Sequence, residues 1–188
     1  MSLKFARLSF RASTASACAI RFRSAWLCLA ALAFLSQRRL HAEELAPERD
    51  RVQQVVDDSR ARLGIPQEVR VSIVPANTLV VSVQPHAVQP GVFILSFEQE
   101  FLQQLGDDEI AAVVAHELGH VWIFTHHPFL QTEQLANEVA MRFVSPKALA
   151  QLYDKVWTRT NVKGDLARFL GPEVARGLAS PEASPPEH

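Results

Sequence analysis

The sequence predicts an α+β fold, with a small, mostly antiparallel sheet packed on one strongly apolar helix and on a second helix that follows it. Three short runs rich in β-branched residues, 69–74 (VRVSIV), 79–83 (LVVSV) and 92–95 (VFIL), supply the strands. A long apolar stretch, 109–124 (EIAAVVAHELGHVWIF), supplies the central helix. Of the 188 residues 48% are hydrophobic, the balance of a globular domain with its own core.

Residues 47–63 read as an amphipathic helix. Val52, Val55, Val56 and Leu63 recur at helical spacing, Pro47 suits a first turn, and Gly64 a stop. The three strands follow, separated by turn-rich segments such as 84–91 (QPHAVQPG), where His86 reads as a surface residue. Ser96 with Gln99 makes a capping-box pattern and predicts a short helix to about Leu105, closed by Gly106. Asp107 or Asp108 is then placed to cap the central helix. After a turn at His126, His127 and Pro128, further helices are expected over 130–144, 147–158 and, more weakly, 165–178. The tail 180–188 (SPEASPPEH) has the composition of a disordered segment. One domain is therefore expected over 43–179.

Charge is unevenly distributed. Residues 1–42 hold Lys4, Arg7, Arg11, Arg21, Arg23, Arg38 and Arg39 and no acid. Removing those seven from the 19 basic residues leaves 12 against 20 acidic ones, a formal charge of -8 over 43–188. Such a body lacks the basic footprint that nucleic acid or anionic lipid requires. The basic segment also carries an apolar run, 25–35 (AWLCLAALAFL), too short to span a bilayer, and Ala42 offers a small residue for cleavage. It reads as a signal peptide, which makes the mature chain exported, periplasmic or secreted, with no membrane span. An organelle transit peptide is the alternative, given the Ser and Arg content. Both cysteines, Cys18 and Cys28, lie in this segment, so the body has no disulfide and no Cys-ligated metal.

Within the central helix stands His116-Glu117-Leu118-Gly119-His120, an HExxH motif. Residues four apart share a helix face, so both imidazoles reach one tetrahedral ion. Glu117 is offset by about 100° and addresses a water at that ion rather than the ion itself. The alternative, two solvated histidines on a helix surface, conflicts with the apolar neighbours Ala112, Val113, Val114, Ala115, Leu118 and Val121. Two His and a Glu among them are costly unless paired or metal-bound.

A catalytic zinc site takes a third protein ligand. Glu133 is one candidate: an antiparallel return after the turn at His126–Pro128 brings it level with His120. His126 is another, at the spacing HExxHxxxxxH that metzincins use. Those enzymes break the helix at a glycine three residues after the second His, and here Ile123 stands there, a β-branched residue that resists such a turn. His127 is the remaining histidine nearby.

Residues 107–121 (DDEIAAVVAHELGHV) resemble the active-site helix of HtpX-type and CAAX-prenyl-protease gluzincins. Residues 133–140 (EQLANEVA) resemble the Glu-x-x-Ala-Asp third-ligand helix of the same enzymes, with Asn137 in place of Asp. That Asn, followed by 142–146 (RFVSP), is also similar to the ImmA/IrrE-type metallopeptidases. The resemblance covers about 40 residues. It implies a minimal gluzincin core, one Zn(2+) per chain on His116, His120 and Glu133, and Asn137 as a group steadying a ligand histidine. The function so implied is hydrolysis of peptide bonds in a peptide or protein substrate, with Glu117 as general base. The alternatives are a zinc-stabilised domain that binds a partner without catalysis, and a metzincin-like peptidase using His126. Among other residues, His126 and His127 read as solvated turn residues or rim contacts. Tyr153 and Arg142 read as packing and solvated residues, with polarisation of a carbonyl as their functional alternative. Trp122 and Trp157 read as core rather than substrate platform.

Overall fold

The computed structural model describes residues 45–162 and 164–179. The expected export segment 1–42 and the tail 180–188 lie outside the described residues. The elements are a helix α1 over 45–63, strands β1 (Glu68–Val74), β2 (Val81–Pro85) and β3 (Val92–Glu98), then α2 (Gln99–Leu102), α3 (Asp107–His126), a 3-10 turn (Pro128–Leu130), α4 (Glu133–Ala140), α5 (Pro146–Thr160), α6 (Leu166–Leu170) and α7 (Pro172–Ala179). The α+β class is as the sequence predicts.

The sheet has the order β1-β3-β2. β2 and β3 are antiparallel, but β1 and β3 are parallel, from Glu68↔Val92 to Val74↔Glu98. The sheet is therefore mixed, where a mostly antiparallel one was expected. The chain reverses after β1 without pairing β2 to it, and β3 fills the gap between them. Paired on both sides, β3 is buried along most of its length, and Leu95 and Phe97 are inaccessible to solvent.

That central position explains why Ser96 does not cap a helix. It lies in β3, opposite Ser72 of β1 and Ser82 of β2. Two ladders of backbone hydrogen bonds outweigh one cap of about 1 kcal/mol. Only the four residues of α2 remain helical, anchored by buried Phe101 and Leu102. β2 also begins later than the apolar run suggests. The Asn77 side chain accepts from the Leu79 amide at 3.0 Å, and Val80 has φ 66°, so both belong to the preceding turn. Pro85 is tolerated because β2 is an edge strand.

The helices pack around this sheet. Val52 and Val56 of α1 are buried as their spacing requires. Gln53 ties α1 to β1, donating to the Val69 carbonyl and accepting from the Val71 amide, both at 2.8 Å. α3 starts at Gly106 rather than at an Asp cap, and the Glu109 carboxylate accepts from the Gly106 amide at 2.8 Å. The expected helix over 130–144 is shorter. Pro128 opens the 3-10 turn, Thr132 caps α4 by accepting from the Leu135 amide at 3.1 Å, and a turn follows Ala140. The last expected helix is split in two at Gly171, whose φ of 92° favours glycine, followed by Pro172.

Two buried or half-buried ion pairs join α5 to the rest. Arg159 binds the Glu98 carboxylate through two nitrogens, and Lys155 donates to Glu109 at 2.6 Å. The Arg159 bond holds the Glu98 carboxyl below its ordinary value of 4.5. Burial opposes ionisation of Glu109, but Lys155 and the Gly106 amide outweigh it and lower its pKa too. A carboxyl depressed on folding adds stability above the unfolded pKa and loses it as pH falls through the folded value. The melting temperature is therefore expected to drop as pH falls below about 4.5, and Arg159→Met should flatten that acid limb. Thermal unfolding followed from about pH 6 to about pH 3 checks this.

Candidate metal centre

α3 is apolar on nearly every face because it is enclosed by the sheet, α4 and α5. His116 and Glu117 are each 8% exposed in that setting. One helical turn apart, the rings of His116 and His120 lie 4.8 Å centre to centre and nearly perpendicular, with their Nε2 atoms 3.3 Å apart.

The third group arrives on α4, and a glycine allows it. A Cβ on Gly119 would stand 2.5 Å from the Ala136 carbonyl oxygen and 3.0 Å from its Cα. Only glycine lets the two helix backbones approach this closely. Glu133, at the start of α4, then sets Oε2 3.3 Å from His116 Nε2 and Oε1 3.6 Å from His120 Nε2. Among the described residues, His116, His120 and Glu133 are the group whose ligand atoms converge, all within 4.8 Å of one another. The two histidines hold the Glu133 carboxyl far below its usual range. Burial disfavours the charged form of His120, but Glu133 and Glu117 outweigh it and raise the imidazole's pKa.

The spacing suits zinc. Ligand atoms 2.0–2.1 Å from a tetrahedral ion stand about 3.4 Å apart; the two Nε2 atoms are 3.3 Å apart, and the Glu133 carboxylate reaches one of them with each oxygen, at 3.3 and 3.6 Å. Both imidazoles are also oriented to offer Nε2. Asn137, fully buried, donates through Nδ2 to the Tyr153 hydroxyl oxygen at 2.7 Å and to the Phe169 carbonyl at 2.9 Å. Its Oδ1 must therefore face His116 Nδ1, 2.8 Å away, and accept the proton there. Gln131 does the same for His120, donating Nε2 to the His120 carbonyl and turning Oε1 to Nδ1, each at 3.2 Å. Each bond fixes the tautomer that leaves the Nε2 lone pair free for a metal.

His126 takes no part. Its ring stacks on Trp122, 4.5 Å away at 12°, and its Nδ1 bonds the Trp122 carbonyl at 2.9 Å. α3 runs unbroken through Ile123 to His126, so the metzincin-like arrangement is ruled out by the direction of the helix. His127 caps α3 beside the same Trp122, and Arg142 lies over that ring at 5.7 Å. Neither lines the cleft at the His116–Glu133 cluster.

A match to a family of known proteins fits this geometry. The family model of peptidase family M48 covers residues 48–173, from α1 to the start of α7. The chain belongs to peptidase family M48. It is thereby a zinc metallopeptidase of the gluzincin type, with a His/His/Glu cluster where such a metal would sit. No curated protein and no solved structure matches the chain.

In this M48 peptidase the cluster opens into a cavity of about 510 Å³. Glu117 lines it, and burial raises that carboxyl's pKa, partly opposed by His116 and His120. β2 forms one wall through Val81, Val83 and Pro85, while Leu152, Val156 and Trp157 of α5 form another. Trp157, which the sequence suggests is core, thus faces the cleft as well. Gln131, Tyr153 as a bonding partner and the Phe169 carbonyl are site groups that sequence reasoning missed. Gly119 carried a signal, a lone glycine inside an otherwise apolar helix.

Proposed function

We propose that this M48 peptidase is a zinc endopeptidase that holds one Zn(2+) per chain on His116, His120 and Glu133 and uses Glu117 as general base. The observation that carries the reading is the convergence of the two Nε2 atoms, 3.3 Å apart, with the Glu133 carboxylate, whose oxygens lie 3.3 and 3.6 Å from them, and with Glu117 in the wall of the same cavity. When bound, zinc supplies Lewis-acid polarisation of a carbonyl and a water acidified toward a pKa of about 7. Glu117 takes a proton from the attacking water on its carboxylate and passes it to the departing amide nitrogen. Asn137 and Gln131 keep the two Nδ1 protons in place, so each ligand nitrogen remains a lone-pair donor through turnover.

Substrate main chain pairs along β2. This strand is at the sheet edge beside the cavity, whereas β3 is occupied on both sides. The apolar wall of Phe93, Phe124, Leu152, Val156 and Trp157 takes a bulky apolar side chain next to the scissile bond. The basic segment with its apolar run in residues 1–42 supports export, which would place the enzyme outside the cytosol.

The test is cleavage of an unfolded protein such as casein by the purified full chain, with fragments read by mass spectrometry. Internal cuts flanked by apolar residues are expected, abolished by a chelator and restored by zinc. Absence of any cut in the zinc-loaded protein would overturn the reading.

A further inference from the structure

Adjoining the cavity at His120, Gln131, Glu133 and Phe169 is a second groove, lined also by Thr132, Gln134 and Arg168. Its neutral groups are already engaged. Gln131 is bonded to His120 through both ends of its amide, Gln134 donates to Glu138 at 3.1 Å, and Thr132 caps α4. Glu133 is drawn toward the two histidines. Arg168 differs. Its guanidinium is exposed and has no hydrogen-bond or ion-pair partner among the described residues, while acids pair with Arg51, Arg70, Lys155 and Arg159 elsewhere. Arg62 and Lys147 likewise have no ion-pair partner among the described residues, but of these cations it is Arg168 that lines a groove beside Glu133.

Arg168 is also held in register with the centre. Asp165 caps α6 by accepting from the Ala167 amide at 2.9 Å, and Leu170 is buried. Between them the Phe169 carbonyl binds Asn137, which binds His116. The unspent donors of Arg168 thus project from a residue adjacent to one fixed on the metal-site network. Five N–H donors in a planar fork match a carboxylate.

We infer that Arg168 forms a carboxylate-binding subsite in this second groove, which selects substrates carrying an acidic group in the segment that flanks the scissile bond. The inference rests on the reading of this cleft as a peptide-binding site. The carboxylate is supplied either by an Asp or Glu side chain or by the substrate's own C-terminus.

The experiment uses the zinc-loaded full chain and synthetic peptides sharing one apolar core. One pair carries Glu or Gln at a flanking position with the C-terminus amidated, and a second pair has Gln with a free or amidated C-terminus. Each is measured for kcat/KM and for equilibrium binding by fluorescence anisotropy, with wild type, Arg168→Gln and Arg168→Lys. Wild type is expected to prefer one carboxylate-bearing peptide about tenfold over its neutral partner. Arg168→Gln should abolish that preference while leaving the neutral peptide's kcat/KM and the melting temperature unchanged, and Arg168→Lys should restore part of it. The arm that responds identifies the source of the carboxylate. No preference in wild type, or an equal loss for charged and neutral peptides in Arg168→Gln, overturns the subsite. Arg168-dependent binding without any cleavage would instead overturn the peptidase reading and leave the subsite standing.

Discussion

Glu117→Gln is expected to lower kcat for peptide hydrolysis by about a hundredfold to ten-thousandfold, with bound zinc and the melting temperature unchanged. The substitution keeps the shape of the side chain and removes only the group that accepts a proton. Glu117 is 8% exposed, and burial already strains its charged form, so a neutral amide costs the fold nothing. The three ligand groups, His116, His120 and Glu133, are untouched. Measuring kcat on an internally quenched peptide together with zinc content separates the roles. Full activity in the variant would remove Glu117 from the mechanism, and loss of zinc would mean that it serves the metal instead.

Gly119→Ala is expected to produce the second large effect, and it acts through backbone rather than chemistry. In an unobstructed helix this change adds stability, about 0.5–1 kcal/mol. Gly177 in α7 is such a site, because an added Cβ there meets nothing within 4 Å. At Gly119 the same methyl would lie 2.5 Å from the Ala136 carbonyl, and a backbone atom cannot step aside by changing rotamer. Overpacking of about 1–3 kcal/mol outweighs the propensity gain, and relief requires α3 and α4 to separate. Glu133 and Asn137 both ride on α4, so separation removes one ligand and one histidine partner together. The expected result is a lower melting temperature and at least a tenfold weaker zinc affinity for Gly119→Ala, against a neutral or stabilising effect for Gly177→Ala. Thermal unfolding and zinc titration of the two variants check it. Equal behaviour of the two would show that the close crossing of α3 and α4 does not control the site.

The parts of the centre that were legible in the sequence are those set by local geometry. His116 and His120 had to share a face at a spacing of four residues, and an antiparallel return after the turn made Glu133 a candidate to come level with them, beside His126 and His127. Asn137 was legible only through the resemblance of its helix to known ones. What could not be read depends on elements brought together from far apart. Tyr153 on α5 and the Phe169 carbonyl on α6 fix the Asn137 amide, and no local pattern marks either. Gln131 lies in a connection whose path is set by Pro128 and the Thr132 cap. The error at Ser96 has the same root. The run from Ser96 to Gln99 satisfies a capping box locally, but a strand with neighbours on both edges keeps its residues extended. The parallel pairing of β1 and β3 was likewise invisible, because strand runs carry no mark of their neighbour's direction.

The most direct measurement is the zinc content of the full chain after exchange dialysis, compared among wild type, Glu133→Ala and His126→Ala. One equivalent is expected in wild type and in His126→Ala, whose ring is committed to Trp122. Glu133→Ala should be empty at free zinc concentrations that saturate the wild type. Full zinc in Glu133→Ala, or its loss in His126→Ala, would contradict a centre built from His116, His120 and Glu133.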